Sequence, residues 1–192
     1  SFAQKKSLAV TYIEDSLKRH FLDPDFEKLF ASVDKALPGR SNYLLSQSGD
    51  GRFLLVKSVS DGYPGAVYRL DTLTKEMEVI KEINPRLDPR LLSPTTRINY
   101  FARDGLEVAA YITKPIAAKA EKPPAVILPH GGPLGRDTAD YDRMTQFLAS
   151  RGYLVLRPNY RGSTGYSFEY QLLGYGQWGG VIQEDIEDSA KF

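Results

Sequence analysis

The residues of this chain best suited to chemistry are His130-Gly131-Gly132-Pro133, which follow four apolar residues, Ala125 to Leu128. The apolar run predicts a short, fully buried strand, and the two glycines behind it leave backbone N–H groups uncovered by side chains. A loop of this kind can receive the negative charge that develops on a carbonyl oxygen under nucleophilic attack. An isolated His-Gly-Gly more often makes only a tight turn, so the surrounding order decides. A nucleophile to match is missing: no serine has glycine at both minus two and plus two, and Ser167 has Gly165 before it but Glu169 after. Ser163, in Arg161-Gly-Ser-Thr-Gly165, has only His130 as a base in its region and reads as a loop-capping hydroxyl.

Other constellations carry less. His20 and His130 are too far apart for metal-ligand spacing, no cysteine is present, and His20 reads as structural. Gly174-Tyr-Gly-Gln-Trp-Gly179 matches G-x-G-x-x-G, but the fingerprint needs a preceding strand, and Gln171-Leu172-Leu173 is too short for one. Glu184, Glu187 and Asp188 share a helix face and read as a solvated surface matched to the helix dipole. Neither a cofactor nor a metal is expected.

The elements that must hold the glycine loop form a strand, loop, helix, strand series. After Ala125 to Leu128, the stretch Tyr141 to Arg151 is helical, with Met144, Phe147 and Leu148 as its apolar face. Tyr153 to Leu156 is a second buried strand. Such a crossover makes the strands parallel, and Arg157 to Tyr166 then leaves the carboxyl end of the second strand, where open α/β sheets keep their ligand sites. Thr96 to Ala102 and Leu106 to Thr113 read as a strand pair ahead of it, Ala117 to Pro123 as a polar link, and Val181 to Phe192 as a helix carrying Ile182 and Ile186 on one face.

The first half has another texture. Leu8 to Ile13 reads as a strand and Asp25 to Leu37 as a helix packed through Phe26, Leu29, Phe30, Val33 and Leu37, capped by Asp23 or Asp25. Tyr43 to Ser46, Phe53 to Val59, Ala66 to Leu70 and Met77 to Ile80 read as antiparallel strands separated by turn residues. About forty residues for such a set is the size of one β-propeller blade, or of a small meander. The proline-bearing stretch Ile83 to Pro94 is the expected boundary. The 192 residues carry 25 basic and 24 acidic side chains, a net charge of +1, which leaves no footprint for nucleic acid or an anionic membrane. No apolar run is long enough to span a bilayer, and Ser1 to Lys6 lacks a signal-peptide core. Compartment stays open between cytoplasm and periplasm, as does oligomeric state. The chain starts at Ser1 and ends at Phe192 inside a helical pattern, so a piece of a longer protein is expected.

Four motifs in order support a resemblance: His130-Gly-Gly-Pro133, Ala149-Ser-Arg-Gly-Tyr153, Asn159-Tyr-Arg-Gly-Ser-Thr-Gly-Tyr166, and Trp178-Gly-Gly180 followed by Glu184-Asp185. From about Leu92 to Phe192 the chain resembles the catalytic domain of the prolyl oligopeptidase family of serine peptidases, particularly its acylaminoacyl peptidase and dipeptidyl peptidase-like bacterial members. The resemblance implies an α/β architecture: residues 91–192 as the amino-terminal half of an α/β-hydrolase sheet, and residues 1–90 as the end of a β-propeller with a helical insertion. It also implies a peptide substrate, the remainder of the catalytic domain as a partner, and the Ser-Asp-His triad downstream of Phe192. Gly132 would donate half of the oxyanion hole, with Gly131 allowing close approach and His130 in the same loop. Arg161 would brace the loop through backbone carbonyls and Trp178 would pack beneath it. His130 replaces the tyrosine of the family's dipeptidyl peptidases, which favours acylaminoacyl or oligopeptidase-like specificity. A carboxylesterase of the same fold and a non-catalytic peptide-binding module are the alternatives.

Overall fold

A computed structural model describes residues 6–14, 16–116 and 121–192 of the chain, in two compact units, Ser1–Arg90 and Leu91–Phe192. Residues 1–5, and residues 117–120 of the expected link, lie outside the described residues.

The first unit opens with a hairpin of β1 (Ala9–Ile13) and β2 (Leu17–Phe21), followed by helix α1 (Pro24–Ala36). Asp23 starts the helix by accepting from the amides of Asp25 and Phe26, at 3.1 and 2.9 Å, and Pro24 has no N–H to leave unpaired. Periodicity had not revealed β2, whose only apolar residues are its ends, Leu17 and Phe21; His20 lies exposed on this strand rather than in a core. Strands β3 (Ser41–Gln47), β4 (Phe53–Ser60), β5 (Tyr63–Asp71) and β6 (Met77–Glu82) form an antiparallel meander in chain order. The helical spacing of Phe30, Val33 and Leu37 meets the alternation of Leu54, Val56 and Leu70, and these six residues form the core.

The second unit contains β7 (Thr95–Phe101), β8 (Glu107–Thr113), β9 (Ala125–Ile127), α2 (Arg143–Ala149), β10 (Leu154–Pro158), α3 (Phe168–Leu172) and α4 (Val181–Ser189). Its sheet runs β7-β8-β10-β9, with β9 and β10 parallel and the other pairs antiparallel. The chain is therefore mixed α/β, with no closed barrel among the described residues. One face of this sheet packs Val108, Ala110 and Leu156 against Tyr100 and Ala102. The Tyr100 hydroxyl donates to the Asp185 carbonyl of α4 at 2.8 Å, which ties that helix to the sheet.

Two expectations are corrected here. The run Ala125 to Leu128 is not fully buried: Ala125 is exposed and the next three residues are half-buried, because β9 is an edge strand with a neighbour on one side only. Helix α2 turns in Thr145, Gln146 and Ala149, while Met144 and Phe147 face out. Gln146 goes inside because both ends of its amide are used: Oε1 accepts from the Ser93 amide at 2.9 Å and Nε2 donates to the Ser93 carbonyl at 2.8 Å.

Candidate active site

Because β9 and β10 are parallel, the loops leaving their carboxyl ends rise from the same rim of the sheet. The first loop carries His130, Gly131 and Gly132; the second carries Asn159, Tyr160 and Ser163. They are joined along their length. Thr164 N–H donates to the Gly135 carbonyl at 2.8 Å, and Asn159 accepts from the Asp137 amide at 2.7 Å while donating back to the Asp137 carbonyl at 3.1 Å. Arg136 donates to the Gly165 carbonyl at 3.0 Å with its guanidinium over the Tyr166 ring.

Gly131 and Gly132 are both exposed, and among the described residues neither amide is taken by a protein acceptor. Gly132 is the conformationally demanding position: its φ is +145°, and a Cβ there would lie 2.6 Å from the Leu134 nitrogen. A Cβ on Gly131 would meet nothing within 4 Å, so the space in front of that residue is open. The His130 ring stacks on Tyr160, with centroids 4.6 Å apart and 18° between planes. Its Nδ1 lies 2.9 Å from the Gly131 carbonyl and its Nε2 2.9 Å from Ser163 Oγ. The Tyr160 hydroxyl donates to the His130 carbonyl at 2.7 Å.

Ser163 is fully buried, and its hydroxyl donates to the Tyr160 carbonyl at 2.6 Å, as a capping group does. Asp137 faces Arg157 at 3.3 Å, but burial dominates and lifts its carboxyl above the usual carboxylate range, against the pull of Arg157 and His130. Burial likewise raises the Tyr160 phenol, which stays neutral. Asp137 Oδ2 and Arg157 Nε are buried without partners among the described residues.

Behind the second loop lies a buried ion pair. Arg161 donates through Nε and Nη2 to Asp185 at 2.8 and 2.6 Å, and through Nη1 to Asp104 at 2.8 Å. It therefore braces the loop through carboxylates, not the backbone carbonyls expected, because Asp185 is on the inward face of α4. The acidic face of α4 is also not simply solvated. Asp188 is 7% exposed and is held by Arg103, which also reaches Glu184 and Glu187; this pairing drives the Asp188 carboxyl far below its ordinary range. Trp178, expected to pack beneath the site, is 75% exposed in the turn before α4.

The G-x-G-x-x-G stretch follows α3, not a strand, which removes the context of a dinucleotide site. Gly174 is buried for another reason: a Cβ on it would fall 2.5 Å from the Gly162 Cα, and one on Gly162 would fall 3.3 Å from the Pro133 ring. Two backbones cross there directly against the glycine loop. No cluster of metal-binding side chains occurs among the described residues, and no described helix is long and apolar enough to cross a membrane.

Residues legible in the sequence therefore converge in part. His130, Gly132, Tyr160 and Ser163 come together, whereas Trp178 and His20 do not join them. Asp137 and Arg157 gave no advance signal, and Asp185 appeared only as part of a motif without its role, since their partners are distant in sequence and burial cannot be read from a single carboxylate.

Residues 139–192 match the sequence profile of the prolyl oligopeptidase family. Dipeptidyl aminopeptidase BIII of Pseudoxanthomonas mexicana is 29% identical over 194 residues, covering 97% of this chain and 28% of that protein. The human acylamino-acid-releasing enzyme is 30% identical over 115 residues, 59% of this chain and 15% of that one. Among solved structures, a puromycin-hydrolyzing peptidase of Mycobacterium tuberculosis superposes with a TM-score of 0.75 at 29% identity, over 95% of this chain and 29% of that one. The resemblance to the prolyl oligopeptidase family is thus borne out, and the chain spans under a third of the length of these relatives.

Proposed function

We propose that this chain supplies the oxyanion loop and first strands of the catalytic domain of a serine peptidase of the prolyl oligopeptidase family. Residues 91–192 are read as the amino-terminal half of an α/β-hydrolase sheet and residues 1–90 as the end of a β-propeller with α1 as its helical insertion. The observation that carries the reading is the His130–Pro133 loop at the carboxyl rim of β9, with both glycines exposed and their amides unclaimed. Peptide or amino-acid amides are the proposed substrates, in line with the names of the relatives.

In the mechanism this implies, a serine oxygen adds to the scissile carbonyl as a histidine takes its proton. The carbonyl oxygen becomes an oxyanion held by the Gly132 N–H and by the amide after the serine. Collapse expels the amine, which takes the proton back, and water then cleaves the acyl-enzyme by the same route. The nucleophile, histidine and aspartate are assigned outside these 192 residues, because no serine here has the G-x-S-x-G surroundings. Ser163 is not the nucleophile, since its oxygen has no exposed surface and its proton is committed to a carbonyl.

A fluorophosphonate probe tests this on the complete protein. Labelling of one serine outside residues 1–192, together with turnover of acylated amino-acid or dipeptide anilides, is expected. Labelling of Ser163 overturns the assignment, no labelling at all favours a non-catalytic peptide-binding module, and turnover of esters without anilides favours a carboxylesterase.

A further inference from the structure

A trough of about 540 Å³ opens in the first unit between the β1–β2 hairpin and β3, with Phe26 and Phe30 of α1 also lining it. An apolar cavity of about 150 Å³ already takes a small aromatic molecule, so this one has room for several side chains. Its walls are unfinished sheet. Strands β1 and β2 pair only with each other, and a lone two-stranded hairpin is marginal in water. Strand β3 has β4 on one side only, so its other edge is open to a further strand. Leu44 and Leu45, which line the trough from β3, are 37% and 51% exposed.

One polar group in this lining has no partner. Asn42 is 1% exposed, and its Nδ2 donates to Asp34 Oδ1 at 2.8 Å and to the Leu37 carbonyl at 3.3 Å. Both of those partners only accept, so the amide cannot be turned over, and Oδ1 is left on the other branch as a buried acceptor without a donor among the described residues. Arg19, also in the lining, does not supply the donor: its guanidinium lies 4.1 Å over the Phe30 ring, and its listed bonds run to Asp34 and to the Asn42 backbone carbonyl. The lining therefore asks for apolar side chains, a free strand edge and one N–H or O–H. An extended chain offers all of these, whereas the N–H groups within a helix are used inside it. A buried acceptor without a donor costs free energy for as long as it lasts, which suits a permanent occupant better than a visiting peptide.

We propose that an extended segment of the same protein molecule, from outside residues 1–192, runs through this trough beside β3 and places an N–H on Asn42 Oδ1. The chain spans under a third of the length of the relatives it matches, which leaves ample polypeptide to supply such a segment. The inference rests on reading residues 1–90 as part of a larger β domain, and not on the role of Gly132.

The complete protein tests it, with Leu45→p-benzoylphenylalanine irradiated in a mixture of normal and heavy-nitrogen molecules. Cross-links from position 45 to a segment outside residues 1–192, each within a molecule of one isotope, are expected. Cross-links that join the two isotopes mean that a second copy fills the trough, and overturn the proposal. In separate variants, the thiol of Leu44→Cys is expected to react with maleimide about tenfold or more slowly than that of Leu73→Cys, which replaces a residue 73% exposed in the turn before β6. Equal rates mean an open trough and overturn the proposal as well. Absence of fluorophosphonate labelling sinks the peptidase reading and leaves these outcomes unaffected.

Discussion

Asp185 has no exposed surface and meets Arg161 through two charge-assisted hydrogen bonds, so each charge is tolerated only as half of a pair. Asp185→Asn strands the Arg161 guanidinium with Asp104 alone, and a loss of about 3 kcal/mol is expected in urea unfolding. A loss below about 1 kcal/mol would show that Asp104 and water take over. Gly132→Ala acts differently: its Cβ has no room beside Leu134, yet the loop is exposed. On the proposed role of Gly132, this strain turns its amide out of line, and turnover by the complete protein is expected to fall by about 10² to 10³, as for one lost oxyanion donor, a far larger effect than the loss of melting temperature. Asp71 supplies a pH signature. Arg52, with help from the Leu73 and Thr74 amides, holds its carboxyl down to about 2. A depressed acid stabilises the fold fully above its unfolded value, about 4, and the contribution is lost as pH falls through the folded value. Melting temperature between about pH 4 and 2 is therefore expected to fall less steeply in Asp71→Asn; an identical slope would remove Asp71 from the acid transition. At this scale the sequence revealed His130 and the two glycines, since backbone chemistry can be read from a motif. It did not reveal Asp137 or Arg157, nor the buried pairing of Asp185, because a charge is buried only by virtue of a distant partner.

Helix α2 shows where pattern reading stops. Three apolar residues at helical spacing, Met144, Phe147 and Leu148, predict the inward face, but Leu148 is half-buried and the other two are about half exposed, at 54% and 49%. Among the inward residues is Gln146, which satisfies both backbone polar groups of Ser93 where the chain enters β7. Gln146→Leu is apolar and similar in size, yet it leaves a buried N–H and C=O without partners and is expected to cost about 2 kcal/mol or more in chemical denaturation. Met144→Ser in the same chain is expected to stay within about 0.5 kcal/mol. The reverse ranking would mean that the apolar face is the one buried. The meander β3 to β6 and the strands β7 and β8 were legible from short alternating segments between turn residues, and β10 from its continuous apolar run, because these signals are local to each strand. Strand β9 was legible in position and wrong in burial, since a sequence does not say how many neighbours a strand has.

Across the whole molecule, large apolar side chains remain on the surface: Phe101 at 71%, Phe168 at 67% and Trp178 at 75% exposed, with the free edge of β9 in the same unit. Surfaces of this kind normally meet something. The 192-residue chain by itself is expected to self-associate in sedimentation velocity, and a sharp monomeric boundary with one cooperative melt would contradict that. The crossing of Gly174 over Gly162 reaches further. The Gly174 Cα and the Pro133 ring both press on the side of Gly162 that a side chain would occupy, at 3.2 and 3.3 Å from a Cβ placed there. A single methyl group introduced at position 174 would have to push the Gly162 backbone, which lies next to the Pro133 ring, so a change in that turn is expected to reach the shape of the loop through Gly162. If the loop serves as proposed, inherited or engineered changes in that turn would then alter activity from a remote address.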